Sequence, residues 1–199
     1  MTTASPPTPP ARPAPRKPRK IFLVLGLLLA AALGVGLFTS LGSSKSTSAP
    51  HDGGPVPAFS APRLNGSGGI HIPLASGTPT VLLFFGKWCP ACHAELPPLA
   101  AAVRRQDESG GALSLVHVIG VDSEDTVAEA RSFITSSGVT FPVAGDPNIQ
   151  ILSGDFYLRG DPNAVFVKPD GRISRIVQGD TLTPASFTAD ERALIPSGS

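Results

Sequence analysis

The chain has 199 residues, 41% hydrophobic and 16% charged, with 22 prolines, 21 glycines and two cysteines. That allows one domain with appendages and excludes a collagen-like chain, a disulfide-rich miniprotein and a multidomain machine. The net charge of +1 averages two unlike parts: six Lys or Arg and no acid precede residue 46, whereas ten basic and fifteen acidic residues follow, a surplus that speaks against nucleic-acid binding there.

Residues 1–20 are rich in proline and hold too little apolar area to bury, which predicts a disordered tail. Ile21 to Phe38 carries no charge, and the uncharged run reaches 21 residues at Leu41. At ~1.5 Å per helical residue it spans the ~30 Å hydrocarbon core of a bilayer once. Arg12, Arg16, Lys17, Arg19 and Lys20 precede the run and Lys45 alone follows it. The N-terminus is therefore expected in the cytoplasm and the rest of the chain outside. A cleaved leader would have a shorter apolar core and a small-residue cleavage site, and Thr47-Ser48-Ala49 is followed by Pro50. Residues 42–57, rich in Ser, Gly and Pro, read as a flexible tether. Residues 58–195 are left as the functional domain.

In that domain, Gly69 to Leu74 alternates as a short edge strand would. Thr80 to Phe85, TVLLFF, is apolar without alternation and predicts a strand covered on both faces. Cys89 to Gln106 has helical spacing, with Leu96, Leu99, Ala100 and Val103 on one side and Pro97-Pro98 set to kink it. Leu113 to Val121 reads as a second buried strand. Glu124 to Ser136 reads as a helix with Val127, Ala130, Phe133 and Ile134 inward, stopped by Gly138. Asn163 to Val167 and Arg172 to Val177 flank the turn Pro169-Asp170-Gly171 as a hairpin. This order implies an α/β layer architecture.

Both cysteines lie in Trp88-Cys89-Pro90-Ala91-Cys92-His93, between the buried strand and the helix. Residues three apart face each other on a helical turn, so the sulfurs can close a disulfide or open to a dithiol with little backbone motion. Cys89, at the helix N-terminus where the dipole favours a thiolate, is the expected attacker. Cys92, one turn inside, is the expected resolving thiol. An inert staple closing so small a loop would restrain few unfolded conformations. A zinc site would need a second pair of ligands, whereas His51, His71 and His117 are scattered singly, His117 reading as a core or edge residue. Cys89-Pro90-Ala91-Cys92-His93 also fits covalent attachment of a c-type haem. Against that, the only Met is Met1, beyond the predicted span, and the surrounding strands are unlike a small helical haem domain. A tethered binding module without redox chemistry is the remaining alternative.

VLLFFGKWCPACHAELPPL, then VIGVDSEDTVAEARSFITSSGVTFPVAGDPN, then the stretch from Tyr157 through Pro162 to Val167 with Pro169-Asp-Gly-Arg, are three blocks with a shared likeness. The segment from about Val56 to Ile176 resembles the thioredoxin superfamily, specifically its redoxin branch of TlpA/ResA-like membrane-anchored thiol–disulfide oxidoreductases. The resemblance implies a three-layer α/β/α thioredoxin-like fold with a mixed central sheet, here preceded by one transmembrane helix. It implies a redox-active Cys89–Cys92 disulfide with no further cofactor and no metal. It makes Pro162, rather than Pro142, the cis proline facing the cysteines, with Asp161 before it meeting the substrate chain. Glu95 matches a glutamate that handles protons in this branch, and Trp88 would shield the disulfide and offer a contact surface. Pro90, Ala91, Lys87 and His93 would tune the pair.

The chain also departs from that pattern. Pro stands first between the cysteines rather than second, Asp161 replaces a neutral residue, and Asn163 replaces a Thr. A carboxylate at Asp161 would oppose a Cys89 thiolate, whereas Lys87 and His93 could favour it. The peroxidases of the superfamily have P-x-x-x-[TS]-x-x-C, where this chain has Leu82 and Gly86. The implied partners are exported Cys-containing proteins, apocytochrome c among them, and a membrane redox protein that recycles the pair.

Overall fold

The computed structural model describes residues 49–74, 77–179 and 181–195. The predicted tail, the membrane span at 21–41 and the first part of the tether lie outside the described residues. Among those described, no helix is long and apolar enough to cross a membrane.

Phe59–Pro62 (β1) and Gly69–Ile72 (β2) form a small antiparallel hairpin. Thr80–Phe85 (β3) follows, buried at every position as its unbroken apolar run requires. Pro90–Ser109 is helix α1, His117–Ser123 is β4, Val127–Ser136 is α2 and Val143–Asp146 is β5. Asn163–Val167 (β6) and Ile173–Gln178 (β7) form the second hairpin, and Pro184–Arg192 is α3. The main sheet has the order β5-β4-β3-β6-β7. Strands β3, β4 and β5 are parallel, while β6 runs against β3 and β7 against β6. The sheet is therefore mixed, with β3 at its centre.

The mixed central sheet with helices packed on it is the predicted thioredoxin-like α/β fold, and its two faces are covered unequally. All three helices pack on one face, where Leu96, Leu99 and Val103 of α1, Phe133 and Ile134 of α2 and Phe187 of α3 meet Val81, Leu83 and Phe85. The other face is covered by the β1–β2 hairpin and the π-helical turn at Gln150–Asp155, through Phe59, Ile70, Ile72, Ile151, Leu152 and Phe156 against Leu82 and Phe84. Burial of an apolar face needs a cover, and a hairpin supplies it as well as a helix.

Several boundaries also move. The chain at Ala112–Leu115 makes a 3-10 turn with Leu115 exposed, and it enters the sheet only at His117. His117 is itself exposed rather than a core residue. Helix α2 begins three residues later than predicted, because Thr126 and Glu129 form a reciprocal capping box that fixes its start. Val127 consequently faces outward. Helix α1 runs through Pro97 and Pro98 as far as the left-handed cap at Gly110. The end of the predicted tether is bonded to the domain: Gly53 N–H donates to the Ile173 carbonyl at 2.8 Å, Val56 N–H to that of Gly171 at 3.0 Å, and Asp52 Oδ1 accepts from Ile176 N at 3.1 Å.

Two features of this frame generate tests. Glu191 of α3 is fully buried; its Oε2 accepts from Gln106 Nε2 at 2.8 Å while Oε1 meets no partner. Burial pushes its carboxyl up to about 7, the Gln106 hydrogen bond working against this and Asp107 adding to it. An acid whose folded pKa is raised stays protonated in the fold while the unfolded chain ionises, so stability falls as pH rises from the ordinary carboxylate range toward 7. Glu191→Gln, which keeps an acceptor for Gln106, is expected to gain on the order of 1–3 kcal/mol over the parent at pH 8 and little at pH 4. Urea unfolding at the two pH values measures this, and an equal difference at both would contradict it. Second, Gly86 leads from β3 to the cysteines, and a Cβ there would lie 2.7 Å from the Ser123 carbonyl oxygen and closer still to Trp88 Nε1. Gly86→Ala is expected to destabilise by roughly 1–3 kcal/mol and to change Trp88 fluorescence. An unaltered denaturation midpoint would show that the contact yields without cost.

Candidate active site

Strand β3 ends at Phe85, Gly86 allows the chain to turn beneath the indole, and Cys89 becomes the N-cap of α1 with Pro90 in the first turn. Proline suits that position because its missing N–H would have had no helical partner. Cys89 Sγ accepts from Cys92 N at 3.1 Å, and the two residues are joined as a disulfide with a Cα–Cα distance of 5.3 Å. The sulfurs thus share one helical turn, as the spacing predicted.

Around them stand three supports. The Asp161–Pro162 peptide is cis, whereas Pro142 is not, and the Asp161 carbonyl oxygen lies 3.1 Å from Cys89 Sγ. Pro162, Cys92, Glu95, Leu83 and Phe85 line a void of about 10 Å³ behind the disulfide. Glu95 is half-buried, and its Oε2 accepts from Leu182 N at 2.9 Å, which orients the carboxylate. Trp88 is 44% exposed and anchored by Nε1 donating to the Ser123 carbonyl at 2.9 Å.

The residues expected to tune the pair are held in other ways. Pro90 and Ala91 are exposed at the helix start. Lys87 N donates to Asp125 Oδ2 at 2.6 Å, while its ammonium pairs with Glu129 at 3.3 Å in solvent, where such a pair contributes little. His93 is engaged by other groups: Nε2 lies 2.6 Å from the Lys87 carbonyl oxygen and the ring centroid is 4.7 Å from that of Phe133. Three residues that the sequence reading gave no role adjoin the motif: the Ser123 carbonyl accepts from Trp88, Asp125 accepts from Lys87 N, and Asp122 is paired with Phe85 in the sheet. They come from VDSED, whose acids are legible in the sequence although their burial is not.

Access is narrower than the motif suggests. Cys89 is 1% and Cys92 0% exposed. A thiolate must approach a disulfide sulfur directly, and almost none of the surface of either cysteine is open. Cys89 stands at the helix N-cap, and Cys92, inside the first turn of α1, is fully buried.

A family model described as AhpC/TSA matches residues 53–176. The thiol-disulfide oxidoreductase ResA of Bacillus subtilis strain 168 is 28% identical over 182 residues, 90% of this chain and 96% of that protein. ResA of Oceanobacillus iheyensis is 34% identical over 104 residues, 52% of this chain and 50% of that one. Among solved structures, MTB DsbF in its mixed oxidised and reduced forms is similar with a TM-score of 0.59 and 27% identity, covering 68% of this chain and 94% of its own. StoA from Bacillus subtilis, at 22% identity and a TM-score of 0.56 over 67% of this chain and 95% of its own, shares the fold. The family match spans well over half of the sequence and includes both cysteines, and the chain belongs to the AhpC/TSA family.

Proposed function

We propose that the protein is a thiol–disulfide oxidoreductase that exchanges disulfides with exported proteins on the outer side of the membrane. The observation that carries the reading is the Cys89–Cys92 disulfide at the start of α1, beside cis-Pro162. Its likeness to proteins named thiol-disulfide oxidoreductases supports the same chemistry.

In the reducing direction the Cys89 thiolate attacks one sulfur of a partner disulfide. A mixed disulfide forms, and the partner's other sulfur leaves as a thiolate that takes up a proton. Cys92, having given up its proton, then attacks Cys89 Sγ, which closes the Cys89–Cys92 bond and releases the second partner sulfur. Two electrons pass to the partner and the chain is left oxidised. The reverse sequence oxidises a partner dithiol. In either direction Pro162 and the adjoining Asp161 backbone flank the attacked sulfur, Glu95 receives or returns the proton of Cys92, and exposed Trp88 offers apolar contact area. Partners of this kind include apocytochrome c, whose haem-site thiols must be reduced before ligation, and newly exported chains acquiring disulfides. A membrane redox protein would restore the pair after each cycle. The uncharged run at 21–41 and the cations before it support anchoring with the N-terminus in the cytoplasm.

The haem reading requires both sulfurs for thioether bonds and His93 as an iron ligand. Here the sulfurs bond each other and the His93 ring is held by Lys87 and Phe133. The exchange reading is favoured on that geometry.

The purified protein is expected to accelerate insulin reduction by dithiothreitol, and Cys89→Ser to lower the rate to the uncatalysed level. Cys92→Ser should accumulate a mixed disulfide through Cys89, visible as a reducible adduct on electrophoresis. Full activity in Cys89→Ser, or a covalently bound haem absorbance that survives denaturation, would sink the proposal.

A further inference from the structure

Exchange through Cys89 and Cys92 leaves two buried carboxyls near the disulfide without a role. Asp122 is paired with Phe85 in the β3–β4 register, so the two side chains share the sheet face on which α1 and both sulfurs lie. It is 1% exposed and neither carboxyl oxygen has a partner in hydrogen-bonding geometry. Asp161 flanks β3 from the opposite neighbour, β6, two residues before Asn163, which pairs with Phe84. Its carbonyl is the group 3.1 Å from Cys89 Sγ. Its Oδ1 accepts from Asn163 Nδ2 at 3.3 Å, and its Oδ2 is buried without a partner. The two acids thus bracket the end of the strand that delivers Cys89.

We propose that Asp122 and Asp161 are positioning residues that act as a coupled acid pair, whose ionisation sets how readily Cys89 becomes a thiolate. The inference rests on Cys89 being the attacking sulfur.

The surroundings supply mostly negative charge. Asp122 is affected by Asp125 beside it, by Asp161 and by Glu129 of α2. Asp161 is affected by Glu124 and Asp125 of the β4–α2 loop and by Asp146 at the end of β5, with the Asn163 amide opposing them. Asp146 is itself engaged, accepting from Ile151 N and Leu152 N. Of the basic side chains on this side, Lys87 is paired with Glu129 and the His93 ring lies against the Lys87 carbonyl. Burial pushes Asp122 up to about 8, with Asp125 and Asp161 adding to it. Burial likewise raises Asp161 to about 7, the Asn163 hydrogen bond restraining the rise. Below those values the acids are neutral and leave a Cys89 thiolate undisturbed. Above them each added negative charge disfavours the thiolate, so the thiol must titrate against a field that is itself changing with pH.

The test reads the thiolate directly, with no partner disulfide present. In the full chain carrying Cys92→Ala, ultraviolet absorbance of the Cys89 thiolate is followed against pH. The expected curve is broader than a one-proton titration. Adding Asp122→Asn and Asp161→Asn together should restore a one-proton curve and raise the acid constant of Cys89 about tenfold. Each single substitution should give an intermediate shift, and Asp161→Asn alone serves if the buried position does not tolerate Asn. Glu95→Gln should leave the broadening in place. Superposition of the parent and double-variant curves overturns the proposal, as does sharpening by Glu95→Gln equal to that of the double variant. A failure of the insulin assay would sink the exchange function without moving this titration.

Discussion

The covalent bond between Cys89 and Cys92 depends on one local circumstance: a helix must begin at Cys89. The β3 strand is buried on both faces and fixed by β4 on one side and β6 on the other. Its end therefore has little freedom, and the turn at Gly86 carries that rigidity into the first turn of α1. Had the helix started one residue later, the sulfurs would not share a turn and the exchange of one S–S bond for another would need backbone rearrangement.

Rigidity and access are in tension at this point. The pair is almost closed to solvent, yet the proposed chemistry requires a second protein's sulfur to arrive along the bond. The surface near it carries an exposed indole and the cis-proline segment. Beneath that surface the site holds an unusual density of carboxyl groups. The ammonium of Lys87, next to the motif, is engaged by Glu129.

The covering of the sheet shows how a family pattern can be kept while its parts are exchanged. Phe59, Ile70 and Ile72 of a two-stranded hairpin and Phe156 of a π-helical turn fill the face that a helix was expected to cover. The edge-to-face contacts of Phe156 with Phe59 and Phe84, at centroid distances of 6.1 and 5.2 Å, join these pieces to the central strand. Burial of the sheet face is what the packing requires, and a hairpin with a helical turn meets that requirement here.

The central strand, the helix after it and the second hairpin were legible because each has a strong local signal: an unbroken apolar run, apolar residues at helical spacing behind a Cys-Pro start, and a Pro-Asp-Gly turn. The cysteine pair was legible for the same reason, since its spacing and flanking residues are local, whereas Pro162 was reached only through the resemblance to the redoxin branch. Strands β1 and β5 and helix α3 were not, because four residues of FSAP or VAGD carry no periodicity and become strands only when a neighbour offers its backbone groups. Nor could burial be read for Glu95, Asp122 or Glu191. Whether a carboxyl lies in water or under a helix depends on residues distant in the chain that fold over it. Local chemistry in the sequence determined which sulfurs can react. Only the tertiary packing decided which acids surround them, what they cost to ionise, and how far a partner must push to reach the bond.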